Sequence, residues 1–585
     1  MKDKSSRQRV WFLAGVLLAI MVSSVAAMRA AAQPQTVPPA APPPTPGIVT
    51  QEPAGLDDTL AQTNCRYGVA YVFGDSLEWV STLDAGWYLN FTSYAPSIHS
   101  AEFVPVVSVK QVITGGVRQP QVTYNPPLSY YYRHTNGQIQ PGLGTLILQN
   151  PGRLWLVGNE MDVDNPVQGN TMPDVYARAY HDAYYFIKGI DPTARVAIAG
   201  LSMMTPGRLQ YLDIVWDTYK QVYGENMPVD VWNMHLYILE ERNPLNPNEY
   251  GDGKIALGTD KNLAKLTSYG ASDPCPPLGA ADTNANDPRA DVYCRSEHDS
   301  VRIFRDQVYN MRNWMKAHGQ QDKPLIISEY GLLYVYLDPQ PNGGCEFLQD
   351  EHQKCFYPER VTKYLRDTVK FLEETTDPNL GYPKDGNRLV QQWLWYSIVT
   401  EPEWSGGSSN LIVRNYGDYT PGDPSALTMA GLAFQQEATL RVGSVNLTGG
   451  EGGRVTTYVQ QPAKTTSAMI SATFRNSGTR SVIAPFNVTF YKDPGLTQVI
   501  GTATVQPNQT GAVTGCTWEA RNNERVTIKW DNLPVGTHYY WAKIDSGGTI
   551  GEALESDNVT TRGMVVVNKY SNFAPVVGNL FSPLR

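Results

Sequence analysis

Positive charge is scarce in this chain: its 585 residues hold 47 Lys and Arg against 56 Asp and Glu, a formal net charge of -9 at pH 7. Gripping a phosphate backbone needs a basic surface, so nucleic acid is not expected as a partner. Histidine is rarer still, with eight in all, and neither a His-Glu-x-x-His segment nor a Cys-x-x-Cys pair occurs. The chain is therefore expected to hold no metal and to need no cofactor. No Gly-x-Ser-x-Gly elbow is present for an esterase, and no Gly-rich phosphate loop follows the first predicted strand. Beyond the first 28 residues no segment is long and apolar enough to cross a membrane. Phenylalanine is also thin, at 15 residues against 34 Tyr and 13 Trp. That balance favours rings with a flat face and a polar tip, which suit wet, concave surfaces that hold sugars.

What is present begins with export. Lys2, Lys4, Arg7 and Arg9 precede an apolar run from Val10 to Met28, and Ala30-Ala31-Ala32 offers a small-residue cleavage site. Residues 1–32 are expected to act as a signal peptide or an N-terminal membrane anchor, which makes the protein secreted or extracytoplasmic and membrane-anchored. Residues 33–60 form a Pro-rich linker that cannot build a core. The six cysteines fit an oxidising compartment. Cys275 with Cys294 and Cys345 with Cys355 are close in sequence and are expected to pair. Cys65 and Cys516 fall in different predicted domains and are expected to stay unpaired.

From residue 61 to 440 short β-rich runs alternate with helical patterns, the sign of parallel βα units. Strands are predicted at Tyr67–Gly74, Trp87–Thr92, Glu102–Val109, Arg153–Glu160, Arg195–Ser202, Val229–Tyr237, Pro324–Gly331 and Leu389–Ser397. Helices are predicted at Asp174–Ile190, Pro206–Tyr223, Asp299–His318, Pro358–Glu374 and Leu427–Glu437. Eight strands alternating with helices predict an α/β fold, a (β/α)8 TIM barrel. Long connections follow the sixth and seventh strands, and each carries one expected disulfide. Closing a loop of about twenty residues contributes ~3 kcal/mol by restricting the unfolded chain, which holds such loops as walls of a cleft.

In a parallel barrel every strand delivers its C-terminal end to one rim, so carboxylates from distant strands can converge there. Two strand ends carry glutamate: Leu154-Trp155-Leu156-Val157-Gly158-Asn159-Glu160 on the fourth and Pro324-Leu325-Ile326-Ile327-Ser328-Glu329-Tyr330-Gly331 on the seventh. Cleaving a glycosidic bond with retention needs two such groups, one to protonate the departing oxygen and one to attack the sugar. The pattern is similar to clan A of the retaining glycoside hydrolases, over about Asn64 to Ala438. The resemblance implies Glu160 as acid/base, Asn159 as partner of the substrate 2-hydroxyl and Glu329 as nucleophile. It implies that His235 or Tyr237, at the end of strand six, touches the nucleophile. It also implies a Trp of strand eight as a floor under the sugar, with Trp395 nearer the strand end and Trp393 as the alternative. A Tyr237 hydroxyl donated to Glu329 is expected to keep the nucleophile's pKa low, while lesser solvation and a negative neighbour are expected to raise that of Glu160. Met161 stands where many members have Pro, and Val107-Ser108-Val109 ends strand three without the His some members carry. These departures leave the sugar open, with a lean toward β-glucans.

From residue 441 to 570 strands alone are predicted, seven of them, as an all-β Ig-like sandwich; residues 571–585 form a tail. This part resembles the CARDB-type bacterial adhesion modules, on Ile470 to Thr479, Phe486 to Lys492 and His538 to Asp545 leading to Glu555-Ser556-Asp557-Asn558. Asp545, Glu552, Glu555 and Asp557 are read as a solvated acidic edge rather than a Ca2+ site. The expectation is an O-glycosyl hydrolase, endo-acting on β-linkages with retention, whose partner is a polysaccharide and which attaches to the cell envelope through the anchor or the sandwich. The rivals are a non-catalytic carbohydrate-binding or adhesion protein on a degenerate barrel, and a transglycosylase.

Overall fold

The computed structural model describes residues 64–70, 74–94, 101–243, 253–267, 275, 292–334, 349–400, 407–441, 443–460, 463–476, 478, 482, 484–506 and 524–569. The expected signal segment, the linker, Cys345, Cys516 and the C-terminal tail lie outside the described residues. Among the described residues no helix is long and apolar enough to cross a membrane. The chain divides into two compact units at Ser444 and Val445.

The first unit is mixed α/β. Its strands are β1 (Asn64–Ala70), β2 (Ala85–Leu89), β3 (Glu102–Phe103), β4 (Val106–Thr114), β5 (Val117–Asn125), β6 (Tyr131–Arg133), β7 (Ile139–Pro141), β8 (Leu154–Val157), β9 (Arg195–Ile198), β10 (Trp232–Leu236), β11 (Leu266–Thr267), β12 (Val292–Tyr293), β13 (Leu325–Tyr330) and β14 (Gln392–Trp395). Six run in the order β10-β13-β14-β1-β2-β3 and four in the order β5-β4-β8-β9. All of these pairs are parallel except β4 with β5. A single parallel bridge, Ala197 to Val231, joins β9 to the segment entering β10.

Alternation along these strands sorts side chains into two apolar clusters. Trp87, Leu89, Val106, Leu154, Leu156, Ala197, Ile326 and Leu394 belong to one. Their neighbours Tyr88, Val107, Trp155, Val157, Val196, Ile198, Ile327, Trp393 and Trp395 belong to the other, together with buried residues of the helices. The helices Pro173–Ile190, Pro206–Tyr223 and Pro358–Glu374 each open on a proline, whose missing N–H is no loss at that position. Those at Val301–Ala317 and Met429–Leu440 are capped by the hydroxyls of Ser300 and Thr428. The first of the two long connections holds the expected Cys275–Cys294 disulfide. Cys355 is bonded to a partner outside the described residues, and so is Cys65, which corrects the expectation that Cys65 stays unpaired.

One element stands where the sequence reading expected a loop. β4 continues five residues past Val109 and turns back as β5, paired antiparallel from Ser108–Asn125 to Thr114–Val117. The turn is Gly115-Gly116, both at positive φ (58° and 79°), which closes a two-residue hairpin whose twist matches its strands.

The second unit holds two sheets. β15 (Leu447–Gly452), β17 (Thr465–Asn476) and β20 (Glu524–Pro534) form one, in the order β15-β17-β20. β16 (Arg454–Val459), β18 (Phe486–Tyr491), β19 (Val499–Val505), β21 (Gly536–Lys543) and β22 (Gly563–Lys569) form the other, in the order β16-β22-β21-β18-β19. Phe474 meets Phe486 edge-on across the two sheets, with ring centroids 5.6 Å apart. The β16–β22 pair is parallel, unlike every other pair of the unit. The acidic residues of this unit serve its loops. Asp545 accepts from Thr549 and Ile550, Glu552 from Leu447 and Asn558, and Asp557 from Asn446 and Thr448.

Candidate active site

β8 ends at Val157, so Gly158, Asn159 and Glu160 form the turn that leaves the strand. Gly158 sits at φ 94°, where a Cβ would also lie 2.5 Å from the Met161 sulfur; only glycine fits. Glu160 itself sits at φ 45°, a left-handed conformation that costs a non-glycine residue about 1–3 kcal/mol and recurs at functional sites. Its N–H donates to Gly200 O at 2.9 Å, which ties the turn to the end of β9. The carboxylate is thereby held rather than left on a mobile loop.

Glu329 reaches the same place by a different route. Along β13 strict alternation would turn it to the same side as Ile327, toward the helices. The register with β10 and with β14 shifts between Ile327 and Tyr330, and Glu329 stands opposite His235 instead. An extra residue of this kind re-aims a side chain, a common device beside active sites.

His235 and Tyr237 share a strand face and converge on the two acids. His235 Nδ1 lies 3.3 Å from Glu160 Oε1 and 3.7 Å from Glu329 Oε2. Tyr237 donates its hydroxyl to Glu329 Oε1 at 2.6 Å. One oxygen from each carboxylate and one His235 nitrogen all lie within 4.8 Å of one another, a spacing that would also accept a cation. Gly200 makes room for the imidazole, since a Cβ there would lie 2.2 Å from His235 Cδ2. Behind this group Arg208, fully buried, donates Nε to Asp162 at 3.0 Å and pairs with Glu241. Leaving either buried charge alone costs about 3–5 kcal/mol, so the network holds the chain from Glu160 to Asp162 in place.

Charge is crowded here. Burial raises the Glu329 pKa, to about 7; the charge of His235 pulls it down, that of Glu160 pushes it up, and the Tyr237 hydrogen bond lowers it. The expectation of a low pKa is thus overturned, because burial and a like charge outweigh the tyrosine. For His235 burial opposes protonation, but attraction to Glu329, Glu160 and Asp162 prevails and raises its pKa. His235 and Glu329 therefore titrate together.

Asn159 lies beside Glu160, and its Nδ2 donates to Gln168 Oε1 at 3.0 Å. The two tryptophans are elsewhere. Trp395 is fully buried, donates Nε1 to Ser409 O at 2.7 Å and packs edge-on against Tyr330. Trp393, fully buried too, packs against Tyr67. Both face the helices, so neither is brought to the carboxylates, a correction that follows from strand parity. The next residue, Tyr396, has the other parity. It is half-buried, its ring edge faces Phe91 at 6.1 Å, and after burial the charges of Glu329 and Glu160 are what raise its hydroxyl's pKa. Tyr396, Gln168 and Asp162 were not among the residues expected here; for Tyr396 the signal was the alternation of strand eight, which sets it on the face opposite Trp393 and Trp395.

Residues 454–562 match the CARDB family, so the second unit is a CARDB domain. No curated protein sequence matches the chain. Among solved structures it is similar to an oligosaccharide-binding protein of the GH128 family (subgroup VII) from Cryptococcus neoformans, at 13% identity over 65% of this chain and 96% of that one, with a TM-score of 0.34. It is similar to the endo-β-1,4-mannanase of Thermotoga petrophila at 8% identity, over 87% and 99% of the two chains, TM-score 0.29. A CARDB domain from Pyrococcus furiosus, solved with two metal ions, is similar at 20% identity over 22% and 96%, TM-score 0.16.

Proposed function

We propose that the chain is an exported glycoside hydrolase of the clan A type, which cleaves β-linkages inside a polysaccharide with retention. Glu160 acts as acid/base, Glu329 as nucleophile and Asn159 as partner of the 2-hydroxyl. The observation that carries this reading is the meeting of Glu160 and Glu329, 169 residues apart in the chain, within 4.8 Å of each other through one oxygen each. Carboxyl groups about 5–5.5 Å apart serve retention, whereas inversion needs about 6.5–9.5 Å to admit a water. The parallel pairings also support a (β/α)8 barrel. Followed from β1 through β2 to β3, along the chain into β4, and on through β8, β9, β10, β13 and β14, they return to β1, with the Ala197–Val231 bridge as the link from β9 toward β10.

In the first step the sugar's anomeric carbon bonds to a Glu329 oxygen while the glycosidic bond breaks and the Glu160 proton moves to the departing oxygen. In the second, Glu160 takes a proton from water, which displaces Glu329 at the same carbon and restores both groups. Tyr396 and Phe91, not a tryptophan, supply the aromatic surface beside the sugar. The N-terminal segment directs export, and the CARDB domain attaches the enzyme to the envelope or spaces it from it.

The deciding experiment is a screen of the full chain against β-glucans, mannans and xylans, read as reducing ends released. Oligosaccharide products of several lengths, first formed as the β-anomer, are expected. Glycan binding without any release would leave a binding protein, and longer products at constant reducing ends a transglycosylase.

The pH dependence follows from the shift at Glu329. Its attacking form is lost as pH falls through about 7, so the acid limb of kcat/KM is expected near pH 7 rather than near the ordinary glutamate value. Tyr237→Phe removes a donor that favours the ionised form, so the limb should move to higher pH, with a rate loss of about tenfold at pH 6. A limb that stays in place in the variant would show that the hydroxyl does not act on Glu329.

A further inference from the structure

The turn after Glu160 doubles back so that residue 168 lies against residue 159. Gly169 N donates to Asn159 O at 2.9 Å, and Asn159 Nδ2 donates to Gln168 Oε1 at 3.0 Å. A Cβ on Gly169 would lie 2.7 Å from Asn159 O and 2.3 Å from the Met161 sulfur, so the two segments are in contact with no space between them. Three cationic side chains clamp the loop that carries Gln168, two from one hairpin and one from residue 254. Lys110 donates to Pro166 O and Val167 O, at 2.8 and 3.2 Å. Arg118 bonds Asp164 and both oxygens of Asn170, and Lys254 donates to Asp164 O at 3.1 Å. Lys110 and Arg118 come from the β4–β5 hairpin, which thereby gains a purpose: it fixes this loop over the end of β8.

An amide can turn end for end about its last bond at little cost, so an asparagine that must present a donor to a sugar needs a partner that chooses its orientation. In the observed orientation Gln168 presents Oε1, which accepts from the Asn159 nitrogen and holds it on that side. The second N–H of that nitrogen is then aimed by the first.

We propose that Gln168 is a positioning residue for substrate recognition: by accepting from Asn159 Nδ2 it sets the asparagine amide so that the site reads the 2-hydroxyl of the sugar beside the bond that is cut. This rests on the reading of Asn159 given above. It makes the loop 164–170, held by the hairpin, the part of the chain that decides between sugars with and without a hydrogen-bonding group at that carbon.

The test is calorimetric and does not depend on turnover. The full chain and its Gln168→Leu variant are titrated with cellobiose-derived deoxynojirimycin, which carries the 2-hydroxyl, and with cellobiose-derived isofagomine, which lacks it. Gln168→Leu is expected to weaken the first about tenfold and leave the second within twofold, as for one oriented hydrogen bond. In an Asn159→Ala background the same substitution should add nothing, since it acts through that side chain. Equal weakening of both compounds, no change in either, or a full further loss in the Asn159→Ala background would overturn the proposal. If that pattern holds while the polysaccharide screen finds no hydrolysis, the glycosidase reading falls and the amide pair stands.

Discussion

Glu329→Gln is expected to lower turnover of the polysaccharide on the order of 10⁴-fold or more, with no activated substrate able to restore it. The glutamine keeps the shape of the side chain, and its carbonyl still accepts from the Tyr237 hydroxyl, which now donates to Glu329 at 2.6 Å. What is lost is the negative oxygen that bonds to the anomeric carbon. A good leaving group eases the breaking of the old bond but supplies no new one, so fast substrates and slow ones suffer alike. Folding should not suffer: removing one of two buried like charges beside each other relieves repulsion, and the melting temperature is expected to be no lower than that of the parent. Substantial hydrolysis by a cleanly folded Glu329→Gln chain would show that another group attacks the sugar. A fall in melting temperature with partial activity would instead mark Glu329 as a structural residue.

The parts of this site that were legible in the sequence are those set by strand count. Glutamates at the ends of the fourth and seventh predicted strands were expected to meet, and Glu160 and Glu329 do lie together. His235 and Tyr237 were placed on one face by the two-residue period of a strand, and both touch Glu329. The shift in register within β13 turns Glu329 toward His235, and no periodicity announces it. On β14 the resemblance implied a Trp floor and Trp395 was chosen as nearer the strand end, yet the parity of the strand sends both tryptophans to the helices and Tyr396 the other way. The pKa of Glu329 was misjudged because the sequence names its hydrogen-bond donor but not the depth of burial or the nearness of Glu160. The hairpin was marked by Gly115-Gly116 and passed over: the predicted strand stopped at Val109, whereas Lys110-Gln111-Val112-Ile113-Thr114 carries β4 on to the turn, its last two residues exposed. β15 was missed because Leu447-Thr448-Gly449-Gly450-Glu451-Gly452 has too few side chains to show a period at all.

Glu160→Ala separates the two roles, because a general acid matters in proportion to how badly the leaving group needs a proton. On polysaccharide, whose departing alcohol is a poor leaving group, a loss of about 10²–10⁴-fold is expected. On a 2,4-dinitrophenyl glycoside, which departs without help, Glu329 should still form its bond to the sugar at nearly the parental rate. The glycosyl-enzyme then accumulates, because no base remains to activate water for its release. Azide needs no base and fits the space the carboxylate has left. It attacks the anomeric carbon, the bond to Glu329 breaks, and the carboxylate returns as the leaving group. Turnover of the activated substrate should therefore recover with added azide, and the product should be the β-glycosyl azide, formed by two inversions. Loss of the Glu160 charge also removes one of the influences that raise the Glu329 pKa, so the acid limb for the activated substrate should move to lower pH. A variant that hydrolyses polysaccharide at the parental rate would exclude Glu160 as the acid. An α-glycosyl azide would mean that azide attacks the substrate directly, with no covalent bond to Glu329 before it.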